Sequence, residues 1–153
     1  MGKKGLCILL LVLLLILNGC CKMPEVVDVA YKKVTVFEAP PQIKEMVENF
    51  KDEEKAAVYV VDNIVYIVVT RGEKPTGGYG VKVVDIDKHM LGEDRFGVVV
   101  KVEYIEPKPG QPVTQAITYP FTIVQTELVD IPMDTQFRFM INGLEIAEYP
   151  IKL

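Results

Sequence analysis

The chain has 153 residues, with 17 Lys or Arg, 21 Asp or Glu and one His, so its formal net charge is −4 at pH 7. This acidic balance excludes a typical nucleic-acid binder, whose affinity depends on a basic surface. The sequence contains no serine, which excludes a serine nucleophile, and one histidine cannot build a multi-histidine metal site. We therefore expect no catalytic residue, no metal and no other cofactor.

The N-terminus has the features of a secretory signal. Two lysines precede an unbroken apolar run over residues 6–17, and small residues follow it. Twelve apolar residues rise about 18 Å as a helix, whereas the hydrocarbon core of a bilayer is about 30 Å thick, so a lasting transmembrane helix is not expected. The sequence predicts a signal peptide over residues 1–19, a tether over residues 20–25 and one β-rich domain over residues 26–153.

The residues around the expected cleavage site predict a lipid anchor. Leu17, Asn18 and Gly19 precede Cys20 in a pattern that resembles the lipobox of bacterial lipoproteins, although Asn18 departs from the residue usual at its position. A diacylglyceryl group and acyl chains on Cys20 would hold the protein on the outer face of the cytoplasmic membrane, or on an outer membrane where there is one. The alternative is an ordinary signal followed by two incidental cysteines. Cys21 has two interpretations, a second acylation site or a free thiol.

In chain order, the first predicted elements are strands and a helix. Alternation of apolar and polar residues over 26–37 predicts one long strand or two short strands. Apolar residues at helical spacing predict a short helix over residues 42–50, with Pro41 in its first turn. The charged residues 51–55 are expected to form a solvated helix end and a loop.

From residue 56 onward, every predicted element is a strand. Asp62-Asn63 and Asn142-Gly143 are typical of tight hairpins, and the prolines of residues 107–112 predict a loop. The predicted strands cover residues 56–61, 64–70, 79–90, 96–106, 113–119, 121–128, 136–141 and 144–149. We therefore predict a mainly β fold, a single antiparallel β-sandwich or open barrel-like domain with one short N-terminal helix.

Two segments stand out from ordinary turns and strands. One is PTGGY at residues 75–79, in which two glycines permit close backbone approach just before a strand. The other is VTQAITYP at residues 113–120, in which threonine and glutamine side chains can bond neighbouring backbone. Together they resemble the C-terminal domain of the PrcB family, and the resemblance extends over residues 59–125.

The resemblance implies a secreted, often lipid-anchored accessory subunit that associates with a subtilisin-like protease. On this basis we predict a partner surface made by the two segments and their aromatic neighbours. Its residues are Thr76, Gly77, Gly78, Tyr79, Gln115, Thr118 and Tyr119. The alternative is that these residues only maintain the fold.

Other polar groups have simpler interpretations. The glycines of residues 72–80 precede a strand rather than a helix, so a turn is favoured over a phosphate site. Asp85 and Asp87 should share a solvated strand face, with weak cation binding as the alternative. His89 is expected to be a surface or partly buried structural residue. A nucleophilic pair with Cys21 is discounted, because a flexible tether cannot hold a catalytic geometry.

The sequence thus predicts a non-enzymatic accessory protein outside the cytoplasm that stabilises or localises a secreted protease. Two alternatives remain open. One is a protease inhibitor that presents residues 107–112 to a protease cleft in extended form. The other is a β domain that binds a small ligand at the cell envelope, and an enzyme is the least favoured class.

Overall fold

The computed structural model describes residues 25–92, 95–132 and 134–149, and for residues 146–149 it describes the backbone. The predicted signal peptide, Cys20 and Cys21 lie outside the described residues. Among the helices that the structure does describe, none has the length and apolarity needed to cross a bilayer.

The described residues form nine strands and one helix in two sheets. A five-stranded sheet has the order β1-β5-β6-β8-β9, and a four-stranded sheet has the order β2-β7-β4-β3. A core between the sheets makes them a sandwich, which confirms the predicted mainly β class with one short helix. The strands are β1 (Val26–Asp28), β2 (Tyr31–Val34), β3 (Glu54–Val61), β4 (Ile64–Arg71), β5 (Gly80–Met90), β6 (Phe96–Ile105), β7 (Phe121–Thr126), β8 (Gln136–Ile141) and β9 (Leu144–Tyr149), and the helix is α1 (Pro41–Phe50).

The four-stranded sheet is buried on both faces. Its inner face contributes side chains such as Val58 and Ile67 to the core between the sheets. Its outer face is covered by α1, which begins at Pro41 and buries Ile43 and Val47 one helical turn apart. The central strand β4 therefore consists almost entirely of buried residues.

The five-stranded sheet is buried on one face. In β6 buried residues alternate with half-buried or exposed ones, so Val98 and Val100 enter the core while Lys101 and Glu103 face outward. Most strand pairs are antiparallel, but β6 and β8 pair in parallel. A register shift between Val83 and Asp85 interrupts the pairing of β5 with β6.

Two hairpins follow the predicted turn chemistry. Asp62 and Asn63 have φ angles of 51° and 62°, and they join β3 to β4. Asn142 and Gly143 have φ angles of 51° and 82°, and they join β8 to β9. Positive φ at both central residues is the requirement of a type I′ turn, so both hairpin predictions are confirmed.

Three local predictions need correction. Residues 26–37 form two strands as one alternative had it, but these strands lie in different sheets. The strand β3 begins at Glu54, so only the first part of residues 51–55 is a loop. Residues 113–119 are not a strand and form one isolated bridge, because the segment alongside contains Pro75 and a Gly-Gly turn and cannot supply a regular ladder.

The sandwich has two distinct ends. At one, which we call the loop end, lie residues 72–79 (the glycine loop) and residues 107–120 (the proline loop). At the other, the tether end, the N–H of Met90 donates to the carbonyl of Glu25, the first described residue (2.9 Å). Because β5 runs the length of the sheet from Gly80 to Met90, its ends are about 30 Å apart.

Candidate functional site: the loop end

The glycine loop and the proline loop lie side by side and are joined through their backbones. Lys74 and Thr118 exchange two N–H to carbonyl bonds of 2.8 and 2.9 Å, and the N–H of Gly77 donates to the carbonyl of Thr114 at 2.8 Å. The Thr118 hydroxyl also donates to the carbonyl of Thr76 at 2.8 Å. The structure therefore brings the two predicted segments together as one surface.

Close packing between the loops explains the second glycine. Gly78 has a φ of +87°, which side chains rarely adopt. A Cβ atom there would lie 2.8 Å from the Val113 side chain and 2.9 Å from that of Pro107. Gly78 thus allows the glycine loop to contact the proline loop at two points, which is a structural role.

Tyr119 fastens the proline loop to the start of the glycine loop. Its hydroxyl donates to the Glu73 carboxylate at 3.0 Å, and this bond raises the pKa of the Tyr119 hydroxyl above its usual value. The Lys51 ammonium lies 5.7 Å from the centre of the Tyr119 ring. The ring is therefore held between an acidic loop residue and the basic residue that follows α1.

A buried arginine lies beneath both loops, and sequence reasoning missed it. Arg71, the last residue of β4, is 5% exposed. Its Nη1 donates to the carbonyl of Ile105 at 2.6 Å, and its Nη2 forms an ion pair with Glu106. The guanidinium carbon lies 5.2 Å from the centre of the Tyr79 ring and 4.7 Å from that of the Tyr104 ring.

Arg71 thereby links the four-stranded sheet to the end of β6 and to the aromatic residue of the glycine loop. A charge this deeply buried needs hydrogen-bond partners, and the structure supplies them at Nη1 and Nη2, while Nε has none among the described residues. One sequence signal was available. Arg71 is the only charged residue of β4, and it directly precedes the glycine loop.

The predicted surface residues differ in exposure. Gly78 and Gln115 are exposed, whereas Thr76, Tyr79 and Tyr119 are half-buried. Gln115 donates only to the nearby carbonyl of Val113, at 3.3 Å. Gly77 and Thr118, which complete the predicted set, are half-buried as well. The half-buried residues thus form a hydrogen-bonded base at the loop end. The exposed residues around it, such as Gln115, form a small rim.

An exposed apolar side chain adds to that rim. Ile117, in the proline loop, is 59% exposed and lies two residues from Gln115. Large apolar groups exposed among polar residues are typical of protein contact surfaces. The prediction from sequence did not include Ile117.

The acidic residues of β5 form an ion-pair cluster on the outer face of the five-stranded sheet. Carboxylate oxygens of Asp28, Asp85 and Asp87 lie within 4.8 Å of one another. The Lys101 ammonium lies 2.7 Å from Asp85 and 2.7 Å from Asp87. Hydrogen bonds to Asp85 and then Asp87 raise the Lys101 pKa, so Lys101 supplies the positive charge that these carboxylates need.

The proline loop does not present an extended, substrate-like segment at residues 107–112. The N–H of Gln111 donates to the carbonyl of Lys108 at 2.9 Å, and the N–H of Lys108 donates back to the Gln111 side chain at 3.1 Å. Gly110 within this turn has a φ of +76°. These bonds close the segment into a turn, which removes the geometric basis of the inhibitor alternative.

Two spaces bear on the ligand-binding alternative. A cavity beneath α1, beside Tyr59, holds about 10 Å³, which is room for about one water molecule. A cleft of about 260 Å³ lies at the tether end, between Phe96 and Thr135. Neither space touches the glycine loop or the proline loop. His89, half-buried near the tether end, also lies away from the loops.

Comparison with protein families identifies one segment of this chain. The PrcB C-terminal family matches residues 65–127. This segment is similar to the PrcB C-terminal domain, which supports the PrcB family. The matched residues run from β4 to the end of β7, so the PrcB domain contains Arg71 and both loops. The chain matched no curated protein and no solved structure.

The family affiliation indicates a general role. The PrcB name implies association with a protease complex, in which the PrcB protein is an accessory subunit. That role is consistent with a non-enzyme. The loops of the PrcB domain are built around structural contacts, and their outer rim is the part available to a partner.

Proposed function

We propose that this PrcB protein is a lipid-anchored, non-enzymatic accessory subunit outside the cytoplasm, and that its loop end binds a secreted subtilisin-like protease. Binding would stabilise the protease or hold it at the membrane surface. The observation that carries the proposal is that the PrcB match includes both loops, which are joined by hydrogen bonds over the buried Arg71.

The separation of the two ends supports this arrangement. The predicted anchor, Cys20, is five residues before Glu25, which lies at the tether end. The loop end is about 30 Å away along β5. A protein held by its N-terminus would therefore keep the loop end free for a partner.

The internal bonding of the loops favours binding without rearrangement. Loops already joined to one another lose little conformational freedom when a partner binds, and the interaction free energy then appears as affinity. The exposed Gln115 and Ile117 are suitable contact residues on this base. The half-buried Tyr119 has an aromatic ring of the kind enriched where binding energy concentrates.

The first test is to identify what the protein contacts in its native host. Full-length protein is purified in detergent after mild cross-linking, and the captured proteins and the Cys20 peptide are analysed by mass spectrometry. We expect a subtilisin-type protease in near-equal amount and an acylated Cys20. An acylated Cys20 without a protease would contradict the partner and leave the anchor, whereas an unmodified Cys20 would contradict the anchor.

Paired variants then test the loop end. Gln115→Ala and Ile117→Ser are expected to weaken protease capture, because both side chains belong to the exposed rim. The matched controls are Gln136→Ala and Val129→Ser, which change exposed residues toward the tether end. Equal capture by all four folded variants would place the contact elsewhere on the protein.

The effect on the protease separates stabilisation from inhibition. Purified protein is added to the captured protease, and peptidase activity is followed over time. A longer active lifetime is expected for a stabilising subunit. Stoichiometric loss of activity would instead support the inhibitor class and contradict the proposed role.

A further inference from the structure

Exposed apolar side chains concentrate on one side of the sandwich. Among the nine large apolar residues that are exposed in the described chain, three lie within residues 26–37. They are Val26 (51% exposed), Val27 (43%) and Phe37 (92%). We call residues 26–37 the N-terminal flank.

The flank is a single continuous side of the molecule. Its first strand, β1, is an edge of the five-stranded sheet, and its second, β2, is an edge of the four-stranded sheet. The chain passes between them in one step, since the N–H of Val29 donates to Ile86 and the carbonyl of Ala30 accepts from Glu127. The flank therefore spans the side of the sandwich from the tether end toward the loop end.

Phe37 is held outward by a bonded turn. The Glu38 carboxylate accepts hydrogen bonds from the Thr35 N–H (3.0 Å) and the Thr35 hydroxyl (2.7 Å). The N–H groups of Glu38 and Ala39 donate to the carbonyl of Thr35, and Ala39 is buried beneath α1. A phenylalanine that is almost fully exposed on such a turn is unusual, because its burial is normally favourable.

Basic side chains lie on the two elements that this turn joins. The Lys44 ammonium donates to the carbonyl of Phe37 at 3.1 Å, and Lys32 and Lys33 are exposed on β2. The acid among them, Glu38, keeps its charge because its bonds to Thr35 lower its pKa. Residues 29–44 contain three lysines and one carboxylate, so this stretch of an acidic chain has an excess of positive charge, with the exposed Glu45 next to it on α1. The carboxylate within the flank itself, Asp28, lies toward the tether end, close to Asp85 and Asp87.

The predicted anchor would keep the start of the flank near a membrane. Five residues separate Cys20 from Glu25, and even a fully extended tether of that length spans no more than about 18 Å. An exposed aromatic ring beside lysines is the combination with which peripheral proteins contact anionic lipid. We propose that the N-terminal flank lies on the surface of an anionic bilayer, with the Phe37 ring at the boundary of headgroups and acyl chains. This inference rests on the proposed lipid anchor.

The absence of tryptophan from the sequence provides a direct test. The full chain carrying Phe37→Trp is reconstituted into vesicles of phosphatidylglycerol and phosphatidylcholine with brominated acyl chains, and vesicle-bound protein is recovered by flotation. We expect its emission to shift to shorter wavelength and to be quenched by the bromines. The matched control is Leu144→Trp, which places the reporter at a 73% exposed position on β9, at the opposite edge of the five-stranded sheet.

The possible outcomes distinguish the flank proposal from the proposed anchor and from the proposed protease partner. Bound protein in which both reporters give the same unquenched emission overturns the flank proposal while leaving the anchor intact. It would also indicate that the exposed Phe37 contacts a protein rather than lipid. Protein that does not float with the vesicles overturns both the anchor and the flank. Neither result bears on protease capture, which is measured in detergent.

Charge reversal sharpens the result. In the Phe37→Trp chain, Lys32→Glu with Lys33→Glu is expected to reduce quenching in anionic vesicles, and added salt should reduce it too. Lys74→Glu with Lys108→Glu changes the net charge equally at the loop end and should leave quenching unchanged. Equal quenching in all of these chains, and in vesicles of phosphatidylcholine alone, would overturn the requirement for anionic lipid.

Discussion

The two sheets of this protein are buried to different extents. The four-stranded sheet has the inter-sheet core on one face and α1 on the other, and β4 at its centre is buried from Val65 to Arg71. The five-stranded sheet shares the same core, but charged residues of β5 and β6 form ion pairs on its outer face. The first sheet therefore acts mainly as framework, while the second keeps a polar surface.

The difference shows that the pattern of apolar residues in a strand indicates whether one or both of its faces are buried. A strand covered on both faces can be almost entirely apolar, as β4 is before its last two residues, whereas a strand with one solvated face alternates, as β6 does. A polar residue in a strand that is buried on both faces therefore indicates a specific bonding role more strongly than one in an alternating strand. Arg71 is such a residue, and it proves to be bonded to the backbone of the other sheet.

The largest predicted effect distinguishes the buried cation from a surface cation. Arg71→Met leaves the carbonyl of Ile105 without its charged donor and removes the guanidinium from between two tyrosine rings. We expect the free energy of unfolding to fall by about 3 kcal/mol, measured by urea denaturation. Lys82→Met, which breaks a half-exposed pair with Glu103, should cost less than about 1 kcal/mol. Equal decreases in the free energy of unfolding would show that burial does not determine how much these cations stabilise the fold.

An intermediate effect tests whether the outer faces of the two sheets differ. Val68 faces α1 and is 5% exposed, while Val99 is half-buried on the outer face of β6. Val68→Ala should lower the free energy of unfolding by about 2 kcal/mol, and Val99→Ala by less than about 1 kcal/mol. The same urea titration measures both. A large cost at Val99 would indicate that something covers this face in solution, which analytical ultracentrifugation can check.

The smallest predicted effect, a difference of about 1 kcal/mol between two variants, concerns the loop end, where the two sheets meet. Gly78 and Gly110 both have positive φ, but only at Gly78 would an added methyl group lie within 3 Å of atoms of the opposite loop. Gly78→Ala should lower the free energy of unfolding by about 2 kcal/mol and Gly110→Ala by about 1 kcal/mol. Thermal unfolding of the two variants gives the comparison. Identical midpoints would mean that the loops separate at little cost.

Local patterns allowed much of the fold to be predicted. Asp62-Asn63 and Asn142-Gly143 identified their hairpins because a positive φ is a property of the turn residues themselves. The helix was predicted from Pro41 and the spacing of its apolar residues. Residues 113–119 were assigned wrongly, because whether a β-prone segment forms a strand depends on the hydrogen-bonding capacity of the chain beside it.

The candidate site was only half visible in the sequence. The motif pair identified both loops, and the structure joins them through Lys74, Thr118 and Gly77. Motif spacing did not reveal Arg71, Ile117 or the exposed Phe37, because the importance of each depends on what surrounds it. Exposure and burial result from packing between distant parts of the chain, which a local pattern does not contain.

By itself, the sequence determined the strand-rich class, the short helix, the tight hairpins and the similarity of one segment to the PrcB C-terminal domain, since each depends on residues that are near one another or on a recognisable motif. Only the tertiary structure decided that β1 and β2 belong to different sheets and that β6 pairs in parallel with β8. It also placed Arg71 beneath both loops. These features depend on contacts between residues far apart in the chain, and the core selects such contacts through the total apolar surface that it buries.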